Sequence, residues 1–355
     1  MIQIPFFIGQ AAAVILTMFY AAACPDNTDV RTGNTQEQPA GKVWYTNPVI
    51  NRSAPDPTVI RANDGTFYLY ATGGNPAVYK SANLYKWDYV GTAFTKKGKP
   101  AWEPKAGIWA PDINYINGKY VLYYSMSVWG GGKTCGLGVA VSDTPEGPFT
   151  DLGKLFRSNE IGVHNSIDPF YIEDNGKKYL FWGSWNGIWG VELTDDGLAL
   201  KGGIDYAKKH KVQIAGTAYE ATYILKRDGH YYLFNSIGSC CNGARSTYTT
   251  VVGRADNLFG PYVNKAGERM MDNKHEIFIK RNDAFLGTGH NAEFVQDDNG
   301  NDWVIYHAFR TDDVHAGRVD CLDRVYWTED GWPYLSGNGP AVKAEAPVFI
   351  QPADK

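Results

Sequence analysis

The sequence predicts an all-β protein, specifically a five-bladed β-propeller, and three observations carry this prediction. The 355 residues include 11 Trp, 23 Tyr and 16 Phe together with 39 Gly and 18 Pro. Aromatic residues favour strands, whereas Gly and Pro occur in the turns that join strands. A hairpin-like motif recurs five times, and no long segment with helical periodicity interrupts the series after residue 24. An α/β fold is excluded because it requires helices that alternate with strands.

Each copy of the repeated motif begins with a carboxylate and continues through a short β-prone run. It then turns at a polar residue next to Gly and ends in an aromatic strand. Asp-Gly and Asn-Gly steps between apolar runs are strong hairpin signals. The copies begin at Asp56, Asp112, Asp168, Glu220 and, more loosely, Glu293. Units of about 50 to 70 residues with four strands each match the radial repetition of a propeller.

A second recurring segment is predicted to form the outer strands and turn of the same units. It occurs at residues 79–91, 140–153 and 253–267, after the first, second and fourth hairpins. The segment 325–335 is predicted to complete the last blade by pairing with strand residues near residue 44, which would close the ring.

The first 23 residues are interpreted as a signal peptide of the lipoprotein type. Residues 4–23 are almost wholly apolar and end in small residues followed by Cys24, the expected site of acylation. No Lys or Arg precedes Cys24, although a signal peptide usually has a basic start, and a transmembrane anchor is the alternative on length. Residues 24–43 are polar and predicted to be a flexible tether, and residues 44–355 are assigned to the propeller domain. Both interpretations place the protein outside the cytoplasm, in the bacterial periplasm or on the cell surface.

Charge and cysteine content restrict the partners and the redox chemistry. The formal net charge is -4, which argues against a nucleic acid or anionic lipid surface as partner. Contact with the membrane is expected only through the lipid at Cys24. The other cysteines are Cys135, Cys240, Cys241 and Cys321, an even number that permits disulfides without defining their pairing. Their spacing does not match a zinc site, so none is predicted.

The repeated carboxylates are predicted to converge, because the innermost strand of every blade lines the central channel. Asp56, Asp168 and Glu220 near aromatic residues suit hydrolysis of a glycosidic bond, in which one acid protonates the leaving oxygen and another carboxylate activates water. The alternative is that each acid only satisfies turn amides. The sequence lacks the G-x-S-x-G and G-x-x-x-x-G-K-[ST] patterns of acyl transfer and nucleotide chemistry.

Short motifs around these acids resemble glycoside hydrolase family 43, over roughly residues 44–335. These motifs are APDP at 54–57, WAPD at 109–112, NSIDP at 165–169, EATY at 220–223 and GHN at 289–291. SCCNG at 239–243, STY at 246–248 and VGR at 252–254 are similar to the endo-arabinanase branch, which hydrolyses α-1,5-linked L-arabinofuranose chains. Two positions depart from that branch, which often has His where Pro55 stands and Pro where Thr222 stands.

The resemblance implies an inverting hydrolase of arabinan or arabino-oligosaccharides that acts within the chain. It implies that Asp56 is the general base, Glu220 the general acid, and Asp168 the residue that tunes and orients the acid. The residues implied to lie around the sugar are Asp56, Trp109, Asn165, Asp168, Ser184, Trp185, Asn186 and Glu220. The alternatives are an exo-acting α-L-arabinofuranosidase or β-xylosidase of the same family and a non-catalytic, surface glycan-binding propeller.

The resemblance also implies that His290 contacts a largely hydrated cation, usually calcium. Calcium prefers oxygen ligands, so a hydrogen-bonded histidine without a metal is the alternative. No organic cofactor is expected.

Other conspicuous residues have simpler interpretations. Asp112 and Glu293 share the repeat position but match no catalytic motif, so they are assigned a structural role. Trp129, next to Gly130–Gly132, is interpreted either as a rim residue that touches substrate or as part of an exposed turn. His164 is expected to be hydrogen-bonded at the edge of the pocket. The Trp residues assigned to packing are Trp102, Trp182 and Trp332.

Overall fold

The computed structural model describes residues 42–350, and within this range the chain forms a five-bladed β-propeller. The predicted signal peptide, Cys24 and the tether up to residue 41 lie outside the described residues. Each blade is an antiparallel sheet whose strands follow one another along the chain. The predicted all-β class and the five repeats are therefore confirmed.

The strands of the first three blades have regular meander order. Before them, β1 spans Trp44–Thr46. Blade 1 contains β2 to β5, at Thr58–Arg61, Phe67–Ala71, Ala77–Ser81 and Asp88–Thr92. Blade 2 contains β6 to β9, at Gly107–Ile116, Lys119–Ser127, Gly136–Ser142 and Thr150–Arg157. Blade 3 contains β10 to β13, at Phe170–Asp174, Lys177–Trp182, Ile188–Glu192 and Val212–Ala215.

The last two blades follow the same order, with one additional short strand in blade 5. Blade 4 contains β14 to β17, at Glu220–Arg227, His230–Ile237, Thr249–Ala255 and Glu276–Ile279. Blade 5 contains β18 to β22, at Phe285–Asn291, Val295–Gln296, Asp302–Arg310, Val319–Trp327 and Pro333–Leu335. A final strand, β23, spans Lys343–Glu345.

Helices are short and lie between strands. The α-helices are α1 at Ser158–Ile161 and α2 at Gly203–His210. Single 3₁₀ turns occupy Gly243–Arg245, Met270–Asp272, Val314–Ala316 and Ser336–Asn338. Within residues 42–350, no helix has the length and apolar character needed to cross a membrane.

The inner hairpins form at the polar-Gly steps that the sequence singled out. Asn117-Gly118, Asn175-Gly176 and Asp228-Gly229 all have positive φ at both residues. Such turns match the right-handed twist of the two flanking strands, and Asn, Asp and Gly adopt them at the least cost. The register of each hairpin is consequently set by local sequence.

Ring closure differs from the prediction. The segment 325–335 forms a hairpin within blade 5, because its Asp330-Gly331 turn returns β22 onto β21. Residues 44–46 pair instead with β23. Residues between β1 and β2 run along β21, where Ile50 forms a bridge with Asp320, and this contact joins the first and last blades.

The outer-strand prediction holds for two of its three segments. Residues 79–91 and 140–153 contain the two outer strands and turns of blades 1 and 2. In blade 4, residues 253–267 contribute only the end of β16 and two isolated bridges, in which Val263 pairs with Arg254 and with Arg269. The outermost strand, β17, comes later because residues 256–275 form an excursion from the sheet.

Trp182 anchors the contact between blades 2 and 3. Its side chain is fully buried, its ring centroid lies 4.9 Å from that of Phe156, and its Nε1 donates to Ser166 Oγ at 3.0 Å. Trp332 is also buried, and Trp102 is partly buried. These positions agree with the packing roles predicted for the three residues.

Trp182→Ala is expected to destabilise the propeller by about 3–5 kcal/mol, because it leaves a large cavity and removes the hydrogen bond that the Ser166 hydroxyl accepts. Thermal and urea unfolding measure this loss. Trp129→Ala is the matched control, because Trp129 is 78% exposed and should contribute little to stability. Equal stability losses in the two variants would contradict this account of the core.

Candidate active site

A cavity of about 1110 Å³ opens where the inner strands of all five blades meet. Its lining includes Asp56, Asp168 and Glu220, so the predicted convergence of three acids distant in sequence is observed. Their residues are only 6–8% exposed. Each of these carboxyl groups therefore has an environment set mainly by protein atoms rather than by bulk water.

The backbone is left-handed at the same point of every blade. The φ values are 57° at Asp56, 40° at Ala110, 60° at Asp168, 58° at Ala221 and 49° at His290. This conformation is costly for residues other than Gly, and such strain concentrates at functional sites. In blades 2, 4 and 5 the register between the first two strands also shifts near this left-handed residue. Such bulges redirect the side chains at the start of the innermost strand.

Asp56 is held as a carboxylate. Arg318 Nη1 donates to Asp56 Oδ1 at 2.6 Å, and the Nδ1 atoms of His290 and His307 lie 3.4 and 3.3 Å from the same oxygen. Burial alone would raise the pKa of Asp56, but the charge of Arg318 outweighs burial and holds the pKa well below its usual range. This group is therefore ionised near neutral pH, as a general base must be before it accepts a proton.

His307 is a neutral partner of Asp56. Its Nδ1 accepts a hydrogen bond from the backbone N–H of Asp56 at 3.2 Å. Complete burial lowers the pKa of His307 to about 4. The ring therefore orients the backbone of Asp56 without carrying charge at neutral pH.

Glu220 and Asp168 form a second centre, in which the pKa values are shifted upwards. Burial raises the pKa of both groups, and mutual repulsion adds to the rise at Asp168. Ser184 Oγ donates to Glu220 Oε2 at 2.6 Å, while Asn165 Nδ2 donates to Ser184 Oγ at 2.8 Å. Ala221 N donates to Asp168 Oδ2 at 3.2 Å. As the pH rises, the Glu220–Asp168 pair therefore loses its protons later than Asp56 does.

Asp112 and Glu293 do not line the cavity, in agreement with the structural role expected for them. Asp112 accepts a hydrogen bond from Tyr171 N at 2.8 Å, and Glu293 accepts one from Val59 N at 2.8 Å. Each acid thus links its own blade to the inner strand of a neighbouring blade. They lie two or three residues beyond the left-handed positions Ala110 and His290, so the backbone does not direct them into the pocket.

The remaining residues expected to contact sugar lie at the cavity, with one exception. Trp109, Asn165, Ser184 and Trp185 belong to its lining, as does the metal candidate His290. Asn186 lies beside it, where its Nδ2 donates to Ser184 O at 3.1 Å. Contact of these side chains with substrate remains a prediction.

Aromatic groups and a glycine-rich segment border one side of the cavity. The Trp109 and Trp129 ring centroids are 5.5 Å apart, and Trp129 belongs to the lining together with Gly130–Gly132. A Cβ on Gly107 would lie 2.5 Å from Trp109 Nε1, so this glycine makes room for the Trp109 ring. His164 also lines the cavity, and its Nδ1 is 3.4 Å from Asn186 Nδ2.

Three residues that contact the predicted acids were missed by sequence reasoning about function: Arg318, His307 and Tyr248. Arg318 lies just before β21 and belongs to no repeated motif, so no local pattern indicated it. Tyr248 lies in the STY motif at 246–248, and its hydroxyl is hydrogen-bonded to Glu220. Arg318 and Tyr248 lie just before β21 and β16, and His307 lies in β20, so none of the three belongs to an innermost strand.

Cys240 and Cys241 are bonded to each other at the rim of the cavity. This resolves a pairing that the sequence left open. Cys135 and Cys321 are buried and free.

Arg318→Gln is expected to move the acid limb of the kcat/KM profile to higher pH. Asp56 acts as a base only when ionised, and removing the Arg318 charge raises the pKa of Asp56, so activity is lost at higher pH than in the wild type. Arg318→Lys retains the charge and should keep most of the wild-type acid limb. An unchanged limb in the Gln variant would show that Arg318 does not control this ionisation.

Three carboxyl groups from separate blades of a propeller line one cavity, the pKa of Asp56 lowered and those of Asp168 and Glu220 raised, and this is the arrangement of a glycoside hydrolase. The family model for glycosyl hydrolases family 43 matches residues 45–333. The chain belongs to this family.

Individual relatives agree with the family assignment. The extracellular exo-alpha-(1->5)-L-arabinofuranosidase ArbA of Cellvibrio japonicus is 32% identical over 306 residues, covering 79% of this chain and 85% of that protein. The extracellular endo-alpha-(1->5)-L-arabinanase 1 of Bacillus subtilis is 32% identical over 294 residues, covering 80% and 88%. The structure of Cellvibrio cellulosa alpha-L-arabinanase complexed with arabinohexaose superposes with a TM-score of 0.70 at 30% identity, covering 81% of this chain and 96% of that one.

Proposed function

We propose that the protein hydrolyses α-1,5-linked L-arabinofuranose chains in arabinan by an inverting mechanism and cleaves within the chain. The observation that carries the chemistry is that the carboxyl groups of one cavity have pKa values shifted in opposite directions. Arg318 keeps Asp56 ionised, while burial retains a proton on the Glu220–Asp168 pair.

In the proposed reaction, Asp56 removes a proton from water as that water attacks the anomeric carbon. Glu220 gives its proton to the departing glycosidic oxygen as the C–O bond breaks. One carboxylate thus becomes protonated while one acid becomes ionised, so charge is conserved within the cavity. Attack opposite the leaving group inverts the anomeric configuration.

Supporting residues hold the acid in place. The Asn165–Ser184–Glu220 chain of hydrogen bonds fixes one carboxyl oxygen, and the Tyr248 hydroxyl provides a further contact. The negative charge of Asp56 disfavours ionisation of both Glu220 and Asp168. Asp168 and Glu220 also repel each other when both are ionised. We therefore assign Asp168 the role of tuning the pKa of Glu220, and not that of a nucleophile that attacks the anomeric carbon.

Support for arabinan as substrate comes from relatives whose names specify α-1,5-linked arabinose. This chain aligns with them over most of their length. One of them is described as exo-acting and the other as endo-acting, so the two modes need a direct test. The cavity extends from Trp129 in blade 2 to the Cys240–Cys241 loop in blade 4. This breadth favours a polymer bound across the face of the propeller.

Incubation with linear arabinan, xylan and galactan tests both substrate and mode. Arabino-oligosaccharides of several lengths are expected from arabinan, with little product from the other two polymers. Proton NMR in the first minutes should show the anomer opposite to that of the substrate. Release of arabinose alone would establish the exo mode, and initial release of the retained anomer would refute the proposed mechanism.

The non-catalytic alternative, a glycan-binding propeller, makes a different prediction. It expects arabinan to bind equally to the wild type, Asp56→Asn and Glu220→Gln without release of reducing ends. Turnover by the wild type that both substitutions abolish would exclude it.

For the cation, we propose calcium held by His290 and otherwise by water. His290 presents one ring nitrogen to Asp56 and lines the cavity, so its ring is placed to offer one ligand. Residues 42–350 contain no group of three His, Cys, Asp or Glu side chains arranged to hold a metal. Such a donor set fits only an ion that keeps most of its water shell. Calcium should raise the Tm of the wild type but not that of His290→Ala.

We further propose export and lipid attachment through Cys24. The two relatives described above are both named as extracellular proteins. Radiolabelled palmitate should be incorporated into the wild type and not into Cys24→Ala, which should appear in the soluble fraction. Incorporation into both proteins would refute attachment at Cys24.

A further inference from the structure

We propose that the Cys240–Cys241 disulfide is a sugar-binding platform for the leaving half of the arabinan chain. This inference rests on the proposed function and assigns a subsite to a feature that is not part of the catalytic machinery. Both cysteines line the central cavity and are partly exposed. Their bond joins adjacent residues, which directs both sulfur atoms to the same side of the loop.

The position of the loop relative to the acid identifies which half of the substrate it faces. β14 begins with Glu220, its partner β15 leads directly into the cysteine loop, and the loop returns to Tyr248. The Tyr248 hydroxyl is hydrogen-bonded to Glu220. Glu220 is proposed to protonate the leaving oxygen. We therefore place the sugars of the leaving group, which follow that oxygen, next to the cysteine loop.

Hydrogen bonds within residues 239–247 hold the cysteine loop in one conformation. Ser239 N donates to Thr247 Oγ1 at 3.0 Å, and Thr247 N donates to Ser239 O at 3.1 Å. Asn242 N donates to the buried Ser246 Oγ at 2.9 Å. Gly238 has φ +83°, and a Cβ there would lie 2.5 Å from Thr247 O, so only glycine permits this close entry to the loop.

The chemistry of the disulfide suits one face of a furanose ring. A sulfur pair is apolar and polarizable, and it has no strong donor or acceptor that must be satisfied. Carbohydrate pockets need such surfaces for C–H groups beside the polar groups that bind hydroxyls. Trp109 and Trp129 supply an apolar surface in blade 2, and the disulfide supplies one in blade 4.

The double variant Cys240→Ser/Cys241→Ser tests the platform in the full chain, using linear arabino-oligosaccharides from arabinotriose to arabinohexaose. We expect KM for the longer substrates to rise about tenfold, with kcat and the pH profile close to those of the wild type. Treatment of the wild type with a reductant, followed by thiol counting, should produce the same rise, and reoxidation should reverse it. Cys321→Ser serves as the thiol control, because Cys321 is fully buried in blade 5.

Two results would overturn the platform. One is an unchanged KM in the double variant. The other is a fall in kcat with a shifted alkaline limb at unchanged KM, which would mean that the loop only positions Glu220 through Tyr248. The dissociation constant of arabinohexaose, measured by calorimetry in the Glu220→Gln background with and without the disulfide, tests the platform independently of turnover. Absence of arabinan cleavage by the wild type would instead refute the proposed function.

Discussion

Glu220→Gln is expected to lower kcat on linear arabinan by about 10²–10⁴-fold, because the amide has no proton to give to the leaving oxygen. Gln has nearly the same shape and can still accept the Ser184 hydrogen bond, so folding and KM should change little. Initial rates of reducing-end release measure the effect. An aryl arabinofuranoside with an acidic phenol as leaving group should lose much less activity, because that group departs without protonation.

The matched control for this substitution is Glu329→Gln, which changes the same atoms at an exposed position. It should retain wild-type rates. Equal losses on arabinan and on the activated aryl substrate would contradict the role of Glu220 as acid, since a proton donor must matter more for a poor leaving group.

Asp56→Ala is expected to cause a loss of similar size, about 10²–10⁴-fold, because water is no longer deprotonated as it attacks. Sodium azide should restore part of the activity towards the activated aryl substrate, since azide attacks without losing a proton and fits the space left by the carboxylate. The product should be an arabinosyl azide of inverted configuration, identified by NMR. An azide product that retains the configuration would require two displacements through a covalent intermediate and would contradict the inverting mechanism.

Stability must be measured alongside these rates. Arg318 Nη1 lies 2.6 Å from Asp56 Oδ1 and is largely buried, so Asp56→Ala leaves a buried cation without its partner. Asp56→Asn keeps an oxygen at this position and should preserve Tm better. Loss of rate in a well-folded Asn variant separates the chemical role of the carboxylate from its structural one.

The fold was predictable because its information is local and repeated. Each Asn-Gly or Asp-Gly step selects a tight turn, and the alternating aromatic strands on both sides set the register. Closure was predicted incorrectly because it joins residues almost 300 positions apart. Residues 333–335 carry a strand pattern that fits several partners, and the adjacent hairpin with β21 was available at lower entropic cost than a pairing with residue 44.

Short motifs distinguished the three acids from the other repeat carboxylates, but they gave no physical reason for the difference. Asp112 and Asp56 start their motifs in the same way. Only the backbone shows that Asp56 occupies the left-handed position, whereas the corresponding position in blade 2 is Ala110. A shift of two residues at a strand start decides whether a carboxylate faces the cavity or the neighbouring blade.

The amino-acid sequence by itself determined the number of blades, the turns within them and the three acids, because these depend on neighbouring residues and recurring patterns. The tertiary structure alone decided the ionisation of those acids, since the pKa of a buried group depends on charges such as Arg318 that approach from a distant strand. It also decided that Cys240 and Cys241 lie at the rim of the same cavity. Such contacts come from ring closure, which brings all five strand starts to one axis.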